Sequence, residues 1–230
     1  MANPELNCLA SDGDTVRPVL CARPDTLESV LDGLSPEQAG FVRGSGFRGR
    51  SGQLALIPGS EGVAAAVLGL GEDTSPFPHG SLPFALPEGT AWRLEPGAFD
   101  MAGAVLGFCL GAYQFTRFKP ASRAPALLAG TSAFSEALLL ARAAWFARDL
   151  INLPANHLGP AELAAATRAM AERFGAVVGI IEGAELAREY PAVAAVGAGS
   201  ERPPAVARFA WRGSGANERS PLISLCGKGV

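Results

Sequence analysis

The strongest constraint on the fold is a long apolar segment, Phe99–Phe118, which ends just before Pro120. Its length and composition predict a helix, which the proline would terminate. Because apolar residues surround much of its circumference, this helix should be buried against a sheet. Its uninterrupted apolar run, Met101–Tyr113, has 13 residues including three glycines, whereas a bilayer span needs about 20. We therefore expect a core helix in an α/β protein and no membrane span.

The first 131 residues alternate short apolar segments with a segment of helical periodicity, which is typical of an α/β domain. We expect a helix at Thr26–Leu34 and strands at Val16–Cys21, Leu54–Ile57, Val63–Leu70 and Ala126–Ala129. A helix within residues 132–150, at Ser135–Leu150, should link this domain to a second α/β region, residues 151–230.

The second region continues the alternating pattern. A helix, Ala161–Phe174, should begin behind Pro160 and stop at Gly175. The next expected elements are a strand at Ala176–Glu182, a helix at Gly183–Glu189, an apolar segment at Ala192–Val196, and strands at Val206–Trp211 and Leu222–Leu225. The last two strands have no room for a helix between them, so an antiparallel hairpin is plausible.

Two glycine-rich segments resemble phosphate-binding loops only superficially. Gly44–Gln53 lacks the spacing of a phosphate-cradling loop and leads into a strand, where such a loop would lead into a helix. Gly69–Thr74 has two of the three glycines of a dinucleotide fingerprint, but the proline-rich segment Ser75–Glu88 cannot form the helix that must follow. We expect tight connections at both places. His79, inside the proline-rich segment, has no acid, thiol or second histidine nearby in the sequence and is expected to be an ordinary loop residue.

Composition excludes several classes of protein. Of the 230 residues, 48% are hydrophobic and 18% charged, which is typical of a folded globular protein. The net charge of −3 argues against a nucleic-acid surface, and the basic stretch Arg43–Arg50 is expected to be a solvated turn. The four cysteines have no CxxC spacing, and the segment Met1–Glu5 lacks the features of a secretory signal. We therefore expect free thiols and a cytoplasmic protein.

One lysine near the end of the sequence is the main candidate for chemistry. Lys228 lies between two glycines and follows Pro221–Leu225, which is expected to be a buried strand. Of the 19 basic residues only Lys119 and Lys228 are lysine, so charge alone is normally supplied by arginine. An amine, unlike a guanidinium, can lose its proton and then act as a base or a metal ligand. A surface lysine without a function remains the alternative.

Four stretches, in this order, resemble the leucyl aminopeptidase family of dinuclear-metal exopeptidases. They are Gly111–Phe115 continuing to Lys119, Arg148–Asn156 with Gly159–Pro160, Val196–Ser200 with Pro203–Pro204, and Gly227–Val230. The loop Gly46–Gly49 together with Gly71 gives weaker support.

The resemblance implies a smaller macro-like N-terminal domain, a linking helix and the beginning of a catalytic domain. It also implies that Lys228 is a metal ligand, with the remaining ligands beyond Val230 and no catalytic residue within the chain. The resemblance further implies a centre of two zinc or manganese ions, peptide substrates and assembly as a hexamer. The 230-residue chain alone should be inactive. A structural role is expected for Lys119 and a loop or capping role for His157. A non-catalytic regulatory or assembly module on the same fold is the alternative.

Overall fold

The computed structural model describes residues 5–11, 13–60 and 62–229. The chain forms two compact units, Asn3–Asp149 and Leu150–Val230. The division falls inside the helix α5, Ser135–Asn152. Among the described residues, no helix combines the length and apolarity needed to cross a membrane.

The N-terminal unit is built on a five-stranded mixed sheet. Its strands are β1 (Val16–Ala22), β2 (Leu54–Gly59), β3 (Gly62–Gly69), β4 (Ala91–Leu94) and β5 (Leu127–Leu128), in the spatial order β2-β3-β1-β4-β5. The pairs β1–β3, β1–β4 and β4–β5 are parallel, and β2 is antiparallel to β3. The strands predicted at the positions of β1, β2, β3 and β5 are confirmed. The strand β4 is not among the predicted elements.

Both faces of this sheet are covered, because apolar side chains alternate to both sides. Val19 and Cys21 of β1 belong to one core cluster, whereas Ala22 belongs to the other. The helices α1 (Leu27–Leu31) and α2 (Pro36–Gly44) contribute to the second cluster, and α4 (Met101–Gly111) and α5 contribute to the first. The continuous apolar run of β3 thus has the composition of a strand buried on two sides.

The apolar helix predicted at Phe99–Phe118 is present but shorter, because α4 ends at Gly111. Asp100 caps its N-terminus by accepting from the backbone N–H groups of Ala102 and Gly103, both at 3.0 Å. One side of α4 faces the proline-rich segment, which forms a 3-10 helix, Phe77–Ser81, and one turn of helix, α3 (Leu82–Ala85). The prediction that this segment cannot hold a regular long helix agrees with the structure.

Glycine at every fourth position allows α4 to approach that segment at backbone distance. A Cβ atom at Gly107 would lie 1.9 Å from the Pro76 carbonyl oxygen, and one at Gly111 would lie 1.9 Å from the Gly80 carbonyl oxygen. Residues four apart lie on the same side of a helix. The glycines of α4 are therefore contact residues, and the spacing that places them is visible in the sequence.

The C-terminal unit contains α6 (Pro160–Arg173), β6 (Val177–Ile181), α7 (Gly183–Glu189), α8 (Pro191–Gly197) and β7 (Val206–Ala210). The helix α6 starts at Pro160, as predicted, and Gly175 follows it with a φ of +66°. Its alanines Ala164, Ala166 and Ala171 are buried, and the helix packs against β6 and β7. The apolar segment Ala192–Val196 lies within α8.

Two expectations for this unit are wrong. The segment Leu222–Leu225 is not a strand, and Leu222 and Leu225 are each 92% exposed. The predicted hairpin is also absent, because β7 pairs antiparallel with β6. A strand is completed by a neighbour's backbone, and the neighbour of β7 is separated from it in sequence by two helices, so the sequence pattern does not reveal the pairing.

Candidate functional site

The candidate Lys228 lies in an exposed, glycine-flanked stretch without regular secondary structure. The glycine-flanked loop is as predicted, but the buried strand expected before it is not. On the carboxyl side of Lys228 the backbone lies close to α6: a Cβ atom at Gly229 would lie 2.1 Å from Cδ2 of Leu163. A Cβ atom at Gly227 would meet nothing within 4 Å. A side chain at position 229 would therefore have to move the end of the Leu163 side chain, whereas one at position 227 would not.

The first turn of α6, which Gly229 contacts, is held by a group of polar contacts. The Gly159 N–H donates to Oε2 of Glu162 at 2.9 Å, which satisfies one of the free N–H groups at the start of the helix. Nη2 of Arg202 donates to the same Oε2 at 2.6 Å, and Nη1 donates to the Ala155 carbonyl oxygen. These hydrogen bonds, first of all that from Gly159, lower the pKa of Glu162.

Arg202 thereby joins two stretches that resemble family motifs, the loop after α5 and the turn after α8. A Cβ atom at Gly159 would lie 2.3 Å from Cζ of Arg202, so the guanidinium occupies the space that a side chain would need. The Arg202–Glu162 ion pair is partly exposed, with 39% and 46% of the two side chains accessible. Pairs this exposed contribute little to stability, so the consequence of this contact is mainly geometric.

The turn that carries Arg202 is itself tightly folded. The Ser200 N–H donates to the Gly197 carbonyl oxygen at 3.1 Å, and Ser200 Oγ accepts from the Arg202 N–H at 3.1 Å. A Cβ atom at Gly197 would lie 2.3 Å from Cγ of Pro204. The glycine and the proline of this stretch therefore pack on each other and present the arginine.

Two stretches with family resemblance, Gly111–Phe115 and Arg148–Asn156, meet at the carboxyl end of α4. Tyr113 donates its hydroxyl proton to Oδ1 of Asp149 at 2.8 Å. Trp145 and Arg148, also on α5, donate to the carbonyl oxygens of Cys109 and Leu110 at 2.8 and 2.6 Å. Carbonyl groups in the last turn of a helix have no partner within that helix, and a cation is favoured there. This junction joins the C-terminal half of α5 to the end of α4 and is structural.

The remaining sequence candidates have structural positions. Gly71 donates its N–H to the Gly49 carbonyl oxygen at 2.9 Å, so the two glycine loops form one tight connection at the sheet. His157 lies in an exposed turn, where its N–H donates to the Pro154 carbonyl oxygen at 2.8 Å. Lys119 lies in an exposed bend. The four cysteines are free thiols, as predicted.

The interpretation of His79 as an ordinary loop residue is wrong. Its side chain is 3% exposed, its Nε2 lies 3.8 Å from the Cys21 sulfur, and its ring packs on Phe99 with centroids 5.3 Å apart. Burial lowers the pKa of His79 and raises the pKa of Cys21 to about 12. Both groups are therefore neutral at pH 7. The thiol is 58 residues away in sequence, so local reasoning could not find it.

The described residues supply few donors for a dinuclear metal centre. Divalent cations of this kind require several carboxylate or imidazole ligands at close range. Within residues 5–11, 13–60 and 62–229, no group of three or more histidine, cysteine, aspartate or glutamate side chains could hold a metal ion. Lys228 supplies one nitrogen, so these residues alone do not fit a dinuclear centre.

Comparisons with known proteins agree with the fold and the motifs. The family profile "M17 aminopeptidase, N-terminal domain" matches residues 17–130. The profile "Cytosol aminopeptidase family, catalytic domain" matches residues 145–230. The two domain families, in this order, define a chain of the M17 aminopeptidase type. The chain belongs to the cytosol aminopeptidase family, as its sequence motifs predict.

Individual relatives agree with this assignment. The chain is 40% identical over 150 residues to a probable cytosol aminopeptidase of Nocardia farcinica, which covers 58% of the chain and 29% of that protein. A probable cytosol aminopeptidase of Corynebacterium diphtheriae is 30% identical over 233 residues, covering 90% of the chain and 46% of the relative.

Solved structures show the same fold. The cytosol aminopeptidase of Coxiella burnetii superposes with a TM-score of 0.81 at 32% identity, covering 90% of the chain and 47% of that structure. The bottromycin maturation enzyme BotP in complex with Mn shares the fold, with a TM-score of 0.69 at 24% identity, covering 86% of the chain and 45% of that structure. The chain thus spans about half the length of the Corynebacterium and Coxiella proteins.

Proposed function

We propose that a protein containing this chain is a metal-dependent aminopeptidase that releases N-terminal amino acids from peptides. The observation that carries the proposal is the match of the catalytic-domain family to residues 145–230, which include Lys228. In this proposal residues 1–131 form the N-terminal domain, 132–150 the linking helix and 151–230 the beginning of the catalytic domain.

Lys228 is the metal ligand that this chain contributes. Its exposed side chain, on a loop flanked by glycines, leaves the amine accessible to an ion. A neutral amine has a lone pair to donate, which a guanidinium does not offer. The two ions are zinc or manganese, and the manganese complex of the fold relative BotP supports the latter. When bound, such ions polarise the scissile carbonyl and activate water.

The location and the assembly of the protein are proposed from its relatives and its family. The names of the curated relatives support a cytoplasmic location, and assembly as a hexamer is proposed from the family resemblance alone. The 230-residue chain by itself is inactive, because Lys228 is the one ligand proposed among the residues that the structure describes, and a dinuclear centre needs several.

A chimera tests this function. The chain is fused to the part of the Corynebacterium diphtheriae relative that follows the position aligned with Val230, and hydrolysis of a leucyl-anilide is measured with added manganese or zinc. The chimera is expected to turn over substrate, and the 230-residue chain alone is not. Turnover by the chain alone would contradict its proposed inactivity. A folded but inactive chimera would favour the regulatory or assembly module instead.

Lysine substitutions test the ligand. Lys228→Ala and Lys228→Arg in the chimera should each lower kcat/KM by about 100-fold or more, since even neighbours of metal ligands cost about 10–100-fold. Lys119→Arg, the matched change at the other lysine, should leave kcat/KM unchanged. Activity retained by Lys228→Ala would refute the assignment.

A further inference from the structure

A continuous set of contacts connects Arg202 to the Lys228 loop. Arg202 donates to Glu162 in the first turn of α6 and to the Ala155 carbonyl oxygen in the loop before it. The residue after Glu162 is Leu163, whose side chain the backbone at Gly229 touches. The Leu163 N–H in turn donates to the Gly159 carbonyl oxygen at 2.9 Å, so Leu163 belongs to the same first turn.

We propose that Arg202 is a positioning residue for the Lys228 loop, acting through Glu162 and the Leu163–Gly229 contact on α6. The use of this position in catalysis rests on the proposed function, but the positioning itself does not. Arg202 has the planar fork needed to bind two acceptors at once, whereas lysine offers a point charge. One acceptor, Glu162, lies in the first turn of α6, and the other, the Ala155 carbonyl oxygen, lies in the preceding loop. The guanidinium therefore joins the helix end to that loop.

Two features specify this arrangement beyond a surface ion pair. Gly159 lacks the side chain that would displace the guanidinium, and Gly229 lacks the side chain that would displace the end of Leu163 from its contact with the loop. Each glycine therefore makes room for one contact of the set. If the loop lay free of α6, no such restriction would apply at position 229.

The two-lysine composition of the chain gives a direct measurement. Labelling with ¹⁵N-lysine produces backbone amide signals from Lys119 and Lys228 only, and Lys119→Arg assigns them. The order parameter of the Lys228 amide should exceed about 0.6, the value below which a backbone is flexible. Gly229→Ala and Arg202→Gln should each lower it, while the Lys119 amide stays unchanged.

Controls separate positioning from a general loss of structure. Arg168→Gln, a change at another exposed arginine of α6, should leave the Lys228 order parameter unchanged. Leu163→Ala combined with Gly229→Ala should recover part of the order lost in Gly229→Ala, because the smaller side chain leaves space for the new methyl group. Far-UV circular dichroism shows whether each variant keeps its helices.

The outcomes are decisive in both directions. A flexible Lys228 amide in the unsubstituted chain, or an ordered one that neither Gly229→Ala nor Arg202→Gln affects, would overturn the proposal. If the Arg202→Gln variant loses helical structure, the Lys228 order parameter in Gly229→Ala, and its recovery when Leu163→Ala is added, still test whether α6 holds the loop. An ordered, Arg202-dependent loop combined with an active chimera that tolerates Lys228→Ala would leave the positioning intact and refute the metal-ligand assignment.

Discussion

Replacing Gly107 by alanine should destabilise the N-terminal unit, although alanine is the better helix former. The gain in helix propensity is about 1 kcal/mol. Against it, the new Cβ atom would lie 1.9 Å from the Pro76 carbonyl oxygen. Reaching an ordinary separation of about 3.4 Å requires a backbone shift of about 1.5 Å.

The cost of that shift outweighs the propensity gain. Overpacking a well-packed site costs about 1–3 kcal/mol, and the atom that must move here is backbone in a proline-rich segment, so the upper part of that range applies. The net loss expected for Gly107→Ala is about 1–2 kcal/mol of unfolding free energy. Gly40, in α2, is the matched control, because it is exposed and a Cβ atom there would meet nothing within 4 Å. Gly40→Ala should stabilise by about 0.5–1 kcal/mol.

Urea unfolding followed by tryptophan fluorescence measures both effects. Trp92 and Trp145 are buried in the N-terminal unit, whereas Trp211 is 64% exposed in the other unit. With Trp211→Phe as the background, the signal reports the N-terminal unit. The two alanine variants should shift the midpoint in opposite directions. A Gly107→Ala variant as stable as Gly40→Ala would refute the backbone contact between α4 and the proline-rich segment.

Two further predictions concern buried polar groups. Because burial lowers the pKa of His79 below its unfolded value of about 6.5, its neutral form stabilises the fold above that pH. This contribution is lost as pH falls from about 6.5 toward the lowered folded value, by at most about 1.4 kcal/mol per pH unit. His79→Phe should make the urea midpoint depend less on pH between pH 7 and 5. An unchanged pH dependence would contradict the burial of a neutral His79. Trp145→Phe removes the donor to the Cys109 carbonyl oxygen and should lower the free energy of unfolding by about 1–3 kcal/mol. Trp211→Phe, the control, should lower it by nearly nothing. Equal urea midpoints for the two variants would count against the Trp145 hydrogen bond.

Sequence reasoning succeeded where the signal is local. The apolar run of β3 and the start of α6 at Pro160 depend on composition and on residues a few positions apart, so both were predictable. The helix α2 was missed, although Ser35 caps it through a hydrogen bond with the Gln38 N–H. Its buried residues, Ala39 and Val42, are too few to produce a clear apolar periodicity.

Sequence reasoning failed where a distant partner decides the structure. Leu222–Leu225 has the composition of a buried strand, yet none of the described residues pairs with it, and its side chains are exposed. His79 has a sequence context typical of a loop, but the fold brings Cys21 and Phe99 to it. For His79 the deciding neighbours are far away in the chain, whereas Leu222–Leu225 has no strand partner among the described residues. In neither case could burial be inferred from the residue types.

The family was easier to infer than the site, and the contacts of the motifs explain the difference. Two residues that carry the resemblance bind backbone carbonyl groups: Arg148 donates to the Leu110 carbonyl oxygen, and Gly71 donates to the Gly49 carbonyl oxygen. Such contacts depend on a particular fold, so their residue types identify the fold. Lys228 has no comparable contact, and its assignment as a ligand depends on the family match. Arg202 is the opposite case, because its role follows from the contacts it makes. Testing the two residues separately therefore tests two independent arguments, one from relatives and one from geometry.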